Sequence, residues 1–353
     1  MATTSIADLF TPDVWVHALR ERQATFPSLF RSRAVMKSDL MDGLAAGPGI
    51  VAHVPFLKDI TDQGDEIQVE NTAPVNNNNQ PGAVQLWPLL NRVSKNSVTA
   101  LSAQVSGADP VAAIIDQLTM RRLKQRQSVM IAMLRGMMST GTDVNASQAG
   151  ALASMKYLNY AGVEPFSEAG AGVGADQLVS PDIFIYAGTQ LGELENMLSD
   201  GAFLCHTNIK ARLRVLDVNG FKTFVMPSEL PFTIETYRDV PIFTSDQLAR
   251  VGTQGGYVFD SYLMAPGTFG YGDKPQAADV ADVASLSYFY DRDLNNQSIW
   301  DRTRCIMGID GTKWVGAPAA QSATNAELQV AANWQLVYQQ AKRCGVVAFR
   351  TNG

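Results

Sequence analysis

Behind the pair Asp109-Pro110 the chain runs without glycine or proline to Arg135, and no other segment constrains the fold as strongly. Asp109 suits a helix N-cap and Pro110 the first helical position, where its fixed φ is already helical and its missing N–H costs nothing. Met120, Leu123, Met130, Leu134 and Met137 fall at helical spacings, so one face is apolar, with Gln127 as its polar interruption. Extended to Thr140, about 30 residues make a rod of roughly 45 Å. Such a rod crosses a whole domain, and the rest of the chain has to cover its apolar face.

Ahead of the helix lie two different kinds of sequence. Ser5, Ile6, Leu9, Trp15 and Leu19 suit short helices broken at Pro12, but after Arg22 the period fails and Gly43, Gly47 and Gly49 close the stretch, which reads as an arm. From Ile50 to Val105 strand signals dominate, interrupted between Ala73 and Gly82 by Pro74, Asn76 to Asn79 and Pro81, which suit a wide turn. This reads as a hairpin without a core. Two strands alone are marginal in water, so Leu86, Trp87, Leu89 and Leu90 are expected to be covered by a neighbouring subunit. The acidic residues Asp62, Asp65, Glu66 and Glu70 of the same hairpin read as solvated charge at a strand margin or, at a subunit contact, as partners of a neighbour's Lys or Arg.

Behind the helix, 141–181 is rich in Gly, Ala and Ser and reads as connection and loop. A mixed α+β region follows. Pro181 to Tyr186 reads as a buried strand, Gln190 to Leu198 as a helix ended by Gly201, and strands recur at Phe221 to Met226, Phe232 to Thr236, Pro241 to Thr244 and Gly256 to Met264. Alternation returns at Leu286 to Tyr290 and Thr303 to Ile309. A helix is expected from Asn325 through Leu328, Trp334 and Tyr338, and a last strand at Val346 to Phe349.

Composition removes several function classes. With 34 acidic and 28 basic residues the net charge is −6, so no global field draws the chain onto nucleic acid. The 46% hydrophobic and 18% charged fractions are those of a folding globular chain. Cys205, Cys305 and Cys344 are odd in number and far apart, which argues against a disulfide framework or zinc site and for three buried free thiols. Met1 to Phe10 lacks a signal-peptide pattern, and nothing approaches the ~20 apolar residues of a membrane span.

No enzymatic or cofactor site emerges. Gly170 to Ala175 fits a dinucleotide fingerprint in letters, but lacks the strand before and helix after that the chemistry requires. Cys205-His206 invites a nucleophile and base, yet adjacent residues point apart. Arg121, Arg122, Lys124 and Arg126 form the one dense basic cluster, a solvated or ion-paired face or else a contact with packaged DNA or a scaffold's acidic surface. Without interleaved aromatics it has no means of reading bases.

The order of arm, long hairpin, long helix, α+β region and return to strands resembles the Hong Kong 97-like major capsid proteins of tailed phages over essentially the whole chain. Asn325-Ala326-Glu327-Leu328, Ala331-Ala332-Asn333-Trp334 and Gly345-Val346-Val347-Ala348-Phe349-Arg350-Thr351-Asn352 look like the closing signature of a coat-protein group with that fold. Arg304 to Trp314 looks like the strand, glycine and tryptophan preceding it, with Ile309-Asp310 where some relatives have His-Pro.

The resemblance implies an α+β Hong Kong 97-like capsid fold. It divides the chain into an N-terminal arm at 1–49, an extended loop at 50–107, a peripheral domain at 108–180 with a spine helix at 109–140, an axial domain at 181–285 and a return to the peripheral domain at 286–353. It implies a structural protein that is not an enzyme and has no cofactor, metal or membrane contact. Copies would assemble as hexamers and pentamers into the icosahedral head shell around double-stranded DNA, built in the host bacterial cytoplasm and ending in the virion. The other partners implied are a portal protein, non-specifically contacted DNA and, in some relatives, a decoration protein. Residues 1–49 are too few for a built-in scaffold segment, which implies a separate scaffolding protein, and Met1 implies an unprocessed chain. Two alternatives stay open: an encapsulin-type nanocompartment shell of the same fold, and an enzyme with a Gly-rich lid at 162–174. In the shell reading, deleting Asp62 to Trp87 leaves a folded subunit that cannot close shells.

Overall fold

The computed structural model describes residues 29–57, 82–99, 110–139, 149–158, 178–225, 233–251, 257–273, 286–291, 296–320, 322–338 and 340–352. Its strands are β1 (Val35–Lys37), β2 (Val51–Leu57), β3 (Gly82–Thr99), β4 (Lys156–Leu158), β5 (Ala202–Cys205), β6 (Phe221–Val225), β7 (Thr233–Tyr237), β8 (Val240–Thr244), β9 (Ala249–Val251), β10 (Tyr257–Met264), β11 (Phe269–Asp273), β12 (Leu286–Asp291), β13 (Asn296–Ile309), β14 (Thr312–Trp314), β15 (Trp334–Leu336) and β16 (Val346–Thr351). Its helices are α1 (Asp39–Ala46), α2 (Pro110–Met137), α3 (Pro181–Thr189), α4 (Thr207–Leu216) and α5 (Asn325–Leu328).

Two sheets carry the fold. The first runs β1-β11-β13-β3-β2, with β12 also on β13; the second runs β4-β16-β10-β5-β8-β7-β6, with β9 also on β10. One continuous apolar core takes residues from both sheets, from the second half of α2 and from α3 and α4. The 28 residues of α2 make a rod of about 42 Å, and Val129 to Leu134, Met137 and Met138 are all buried. The polar interruption Gln127 is wholly buried and satisfied. Its Oε1 accepts from the Leu29 N–H at 3.4 Å and its Nε2 donates to Ser245 Oγ at 3.0 Å, which ties the N-terminal segment and the second sheet to one helix face.

The hairpin differs from the sequence expectation. Instead of standing without a core, β3 pairs with β13 from Thr99↔Asn296 to Leu89↔Ile306, so the long strand belongs to the first sheet. Trp87, Leu89 and Leu90 are buried by the chain itself and Leu86 is half-buried, which corrects their assignment to a neighbour. The packing explains it: Gly270 and Gly308 are register partners on β11 and β13, and a Cβ on either would overlap the Trp87 ring. The missing side chains form the floor on which the indole lies.

The arm is also shorter than expected. Leu29 and Ala34 are buried, β1 pairs parallel with β11, and α1 starts where Ser38 Oγ accepts from the Met41 N–H at 3.3 Å. Gly43, expected to help close the arm, lies within α1.

Three other elements change type. Pro181 to Tyr186 is helix, because Ser180 caps it through the Ile183 N–H, Pro181 occupies the first turn and Asp182 favours the positive helix end. The following segment, Gly192–Asp200, is a 3-10 helix that Gly201 ends. The helix expected through Tyr338 stops at Leu328. Asn333 Nδ2 donates to the Glu327 carbonyl at 2.9 Å and Trp334 Nε1 to that of Leu328 at 2.8 Å, so side chains take the acceptors a longer helix would have used. The strand that ends the chain, β16, sits inside the second sheet between β4 and β10, and β11, expected in the axial region, belongs to the first. All six residues of β16 are buried, and only an interior position covers an apolar strand on both faces.

Candidate assembly surface and basic cleft

The basic cluster of α2 divides between internal and external duties. Arg122 Nε donates to Asp301 Oδ1 at 2.8 Å and Arg126 donates to Asp273 Oδ2 at 2.7 Å, with the Arg126 guanidinium 5.3 Å from the centre of the Tyr271 ring. The acids stand on β13 and β11, so these pairs fasten the long helix to the first sheet. Arg121 is exposed and Lys124 half-buried. Of the four residues expected to meet DNA or a scaffold, Arg122 and Arg126 therefore have structural work, because a half-buried guanidinium needs a carboxylate where water is scarce.

Beside them lies a cleft of about 250 Å³ whose lining includes Leu90, Arg92, Gln125, Val129, Thr303 and Asn325. Arg92 donates to Ala323 O at 2.6 Å, Ser322 Oγ at 3.1 Å and Asn325 Oδ1 at 3.5 Å, all neutral oxygens. Burial lowers its pKa from the usual arginine value, against weaker opposing effects of Cys305 and Glu327. Sequence reading missed this residue because its α2 neighbours form a visible run and Arg92 stands alone in a strand.

Of the hairpin residues expected at a subunit contact, Asp62, Asp65, Glu66 and Glu70 lie outside the described residues. Among the described residues, Leu57, Val84 and Val93 on β2 and β3 are exposed apolar side chains, with Ile50 just ahead of β2. On the second sheet's side, Val215, Leu216 and Val218 project where α4 ends, with Val215 81% exposed. The root of the hairpin is fixed: Gln85 Nε2 donates to Asp310 Oδ1 at 2.8 Å, Tyr338 OH donates to Asp310 Oδ2 at 2.6 Å, and Phe56 packs edge-on against Tyr338.

A second charged cluster was not foreseen. Arg350 Nε donates to Asp260 Oδ1 at 2.9 Å and Arg135 Nε stands 3.6 Å from Asp260 Oδ2, which joins β16, β10 and α2 around one buried carboxylate. The signal was a lone arginine in the apolar run Val346 to Arg350, where a charge has to find a partner.

The nucleophile-and-base reading of Cys205-His206 finds no support. Burial pushes the Cys205 thiol up to about 12, against a smaller lowering by Lys210, so the thiolate is suppressed. His206 is the N-cap of α4, its Nδ1 accepting from the Asn208 N–H at 3.1 Å. All three cysteines are free and buried. Among the described residues no group of His, Cys, Asp and Glu is placed to hold a metal, and no helix is long and apolar enough to cross a membrane. The glycine-rich stretch at 162–174 lies outside the described residues.

No protein-family model matches the chain. It is 25% identical over 355 residues to the major capsid protein of Bacillus phage SPP1, covering 99% of this chain and 98% of that protein. Among solved structures it resembles the capsid of Ralstonia phage GP4, with TM-score 0.59 and 9% identity over 92% of this chain and 91% of that one. It also resembles the capsid of cyanophage Pam1, with TM-score 0.53 and 10% identity over 95% of each chain. Of the two shell classes left open by the sequence, the full-length sequence relative belongs to the phage class.

Proposed function

We take as premise that this chain is a structural major capsid protein of the Hong Kong 97-like fold, and we propose that it builds the icosahedral head shell of a tailed phage as hexamers and pentamers around double-stranded DNA. The full-length match to a phage major capsid protein carries the reading, and the rooted hairpin supports it. A closed shell needs a rigid body that repeats and extensions that adapt to several neighbourhoods. Here the body is two sheets on one core, and the 58–81 connection between β2 and β3 is the extension assigned to a neighbour.

The domain division follows the sheets. We assign the arm to 1–28, the extended loop to β2, β3 and their connection, the peripheral domain to the first sheet with α2 and α5, and the axial domain to the second sheet with β16. Asp62, Asp65, Glu66 and Glu70 keep their assigned role at a neighbour's basic groups; Leu57, Val84 and Val93 take over from the buried Trp87, Leu89 and Leu90 as the apolar part of that contact. Arg121 and Lys124 remain the candidates for DNA or a scaffolding protein. A separate scaffold, a portal and a decoration protein complete the set of partners, with assembly in the host cytoplasm. At ~25 cal/mol per Å², a few hundred Å² of apolar overlap gives several kcal/mol per contact before ordering costs, and a lattice repeats it.

The deletion that tests this ends before Trp87, whose ring is core. Replacing 58–81 by a short Gly-Ser linker is expected to give folded subunits that form no closed shells in electron micrographs; normal particles overturn the reading.

A further inference from the structure

We infer that the cleft between α2 and the first sheet is a binding site for a small free oxyanion, of the class of inorganic phosphate or a short carboxylate, seated on Arg92. Arg92, Arg122 and Arg126 line the cleft together. Arg122 and Arg126 are paired with the carboxylates of Asp301 and Asp273, whereas the hydrogen bonds of Arg92 among the described residues go to the neutral oxygens of Ser322, Ala323 and Asn325. Glu327, the acid whose field reaches Arg92, is occupied elsewhere: it accepts from the Ala319 N–H at 2.7 Å, the Thr324 N–H at 2.7 Å and Thr324 Oγ at 3.0 Å. Of the three guanidinium groups, that of Arg92 is therefore the one with no bonded carboxylate among the described residues.

Burial turns that difference into a binding preference. Arg92 is half-buried, and the same burial lowers its pKa from the usual arginine value, so the guanidinium has given up water that neutral acceptors replace only in part. A guanidinium carries five N–H donors, and the three hydrogen bonds made here use three of them at most. A charged acceptor on the remaining donors makes bonds roughly twice as strong as the neutral ones.

Size and lining select a compact ligand. The volume of about 250 Å³ exceeds a single water's share of about 30 Å³ several times over, so the cleft admits a molecule of several heavy atoms. Gln125 and Thr303 offer neutral donors to its oxygens, while Leu90 and Val129 form a wall that screens charge poorly. Three guanidinium groups repel a metal cation, and an uncharged ligand leaves the charge of Arg92 unanswered. A bound oxyanion bridges β3 at Arg92, α2 at Gln125 and β13 at Thr303, so its binding stabilises the folded subunit by mass action.

Titration calorimetry on full-length subunits, with inorganic phosphate and with acetate at an ionic strength held by chloride, tests the site. One or both ions are expected to bind saturably at about one per subunit, and the two arms identify which oxyanion the cleft prefers. Gln125→Glu keeps every hydrogen bond of Arg92 and places a carboxylate in the cleft. The exposed position on α2 suits a strong helix former, so the variant is expected to fold and to bind the ion about tenfold more weakly or not at all. Phenylglyoxal modification of the wild-type protein gives a readout that needs no variant: the saturating ion should slow modification of Arg92 several-fold and leave that of the exposed Arg121 unchanged. The assignment is overturned by the absence of saturable binding of either ion, by undiminished binding to the variant, or by equal protection of Arg121. Binding of a short DNA duplex at Arg92 but of neither free ion overturns it in favour of nucleic acid.

Discussion

The two sheets solve the same packing problem in opposite ways. In the second, β5 and β16 are buried at every residue, and the charged groups within it close on themselves around Asp260. In the first, β2 alternates between buried and open positions, the Trp87 ring fills the place of two absent side chains, and Leu57, Val84 and Val93 stay exposed. One sheet closes its buried charges on itself and leaves apolar groups open where α4 ends, at Val215, Leu216 and Val218; the other leaves them open on its own strands and holds Arg92 against neutral oxygens among the described residues. The difference teaches how each is held: one sheet by buried ion pairs within the subunit, the other by a ring seated on glycines.

The largest effect should come from breaking the complete sheet. Asp260→Asn removes the carboxylate that the buried Arg350 bonds and Arg135 approaches, and is expected to cost about 3–5 kcal/mol, read as a lowered urea midpoint of unassembled subunits. Gly308→Ala attacks the other sheet, where the new methyl meets the Trp87 ring, and overpacking of this kind costs about 1–3 kcal/mol. Pairing it with Trp87→Ala should give less than the sum of the two losses in a double-mutant cycle, and strict additivity would show that the contact does not decide the packing. Gln127→Met removes the link between the sheets' attachments to α2 and takes from the buried Leu29 N–H its side-chain acceptor, for a loss of about 1–2 kcal/mol in the same measurement. Thr324→Ala opens the capping box of α5 at the cleft's edge, with about 1 kcal/mol expected.

The smallest effect is a pH dependence confined to the second sheet's side. Burial, partly opposed by Asp246, lowers the pKa of His206 below its ordinary 6.5, and the neutral ring is the one that caps α4. The unfolded chain then binds the proton more readily than the folded one. The contribution is therefore full above the unfolded value of about 6.5 and is lost as the pH falls through the lower folded value. The urea midpoint should fall between about pH 7.5 and about pH 5.5, and His206→Asn, which keeps a cap but does not titrate, should flatten the change.

Local sequence determined those features whose physics is local. The uninterrupted segment after Pro110 had to be a helix, the alternating runs had to be strands, and β3 begins at Gly82, directly after the proline and asparagine run. It failed where an apolar run fits either period and a cap decides, as at Pro181 to Tyr186, and where distant side chains end an element, as Asn333 and Trp334 do for α5. The sites followed the same rule. The run Arg121, Arg122, Lys124 and Arg126 was visible at once, but only tertiary structure assigned Arg122 and Arg126 to acids on β13 and β11 and brought Arg92 to the cleft beside them. A charge is written in the sequence; whether it faces a partner, a cleft or solvent depends on strands hundreds of residues apart, because ion pairing and burial are set by distance in space.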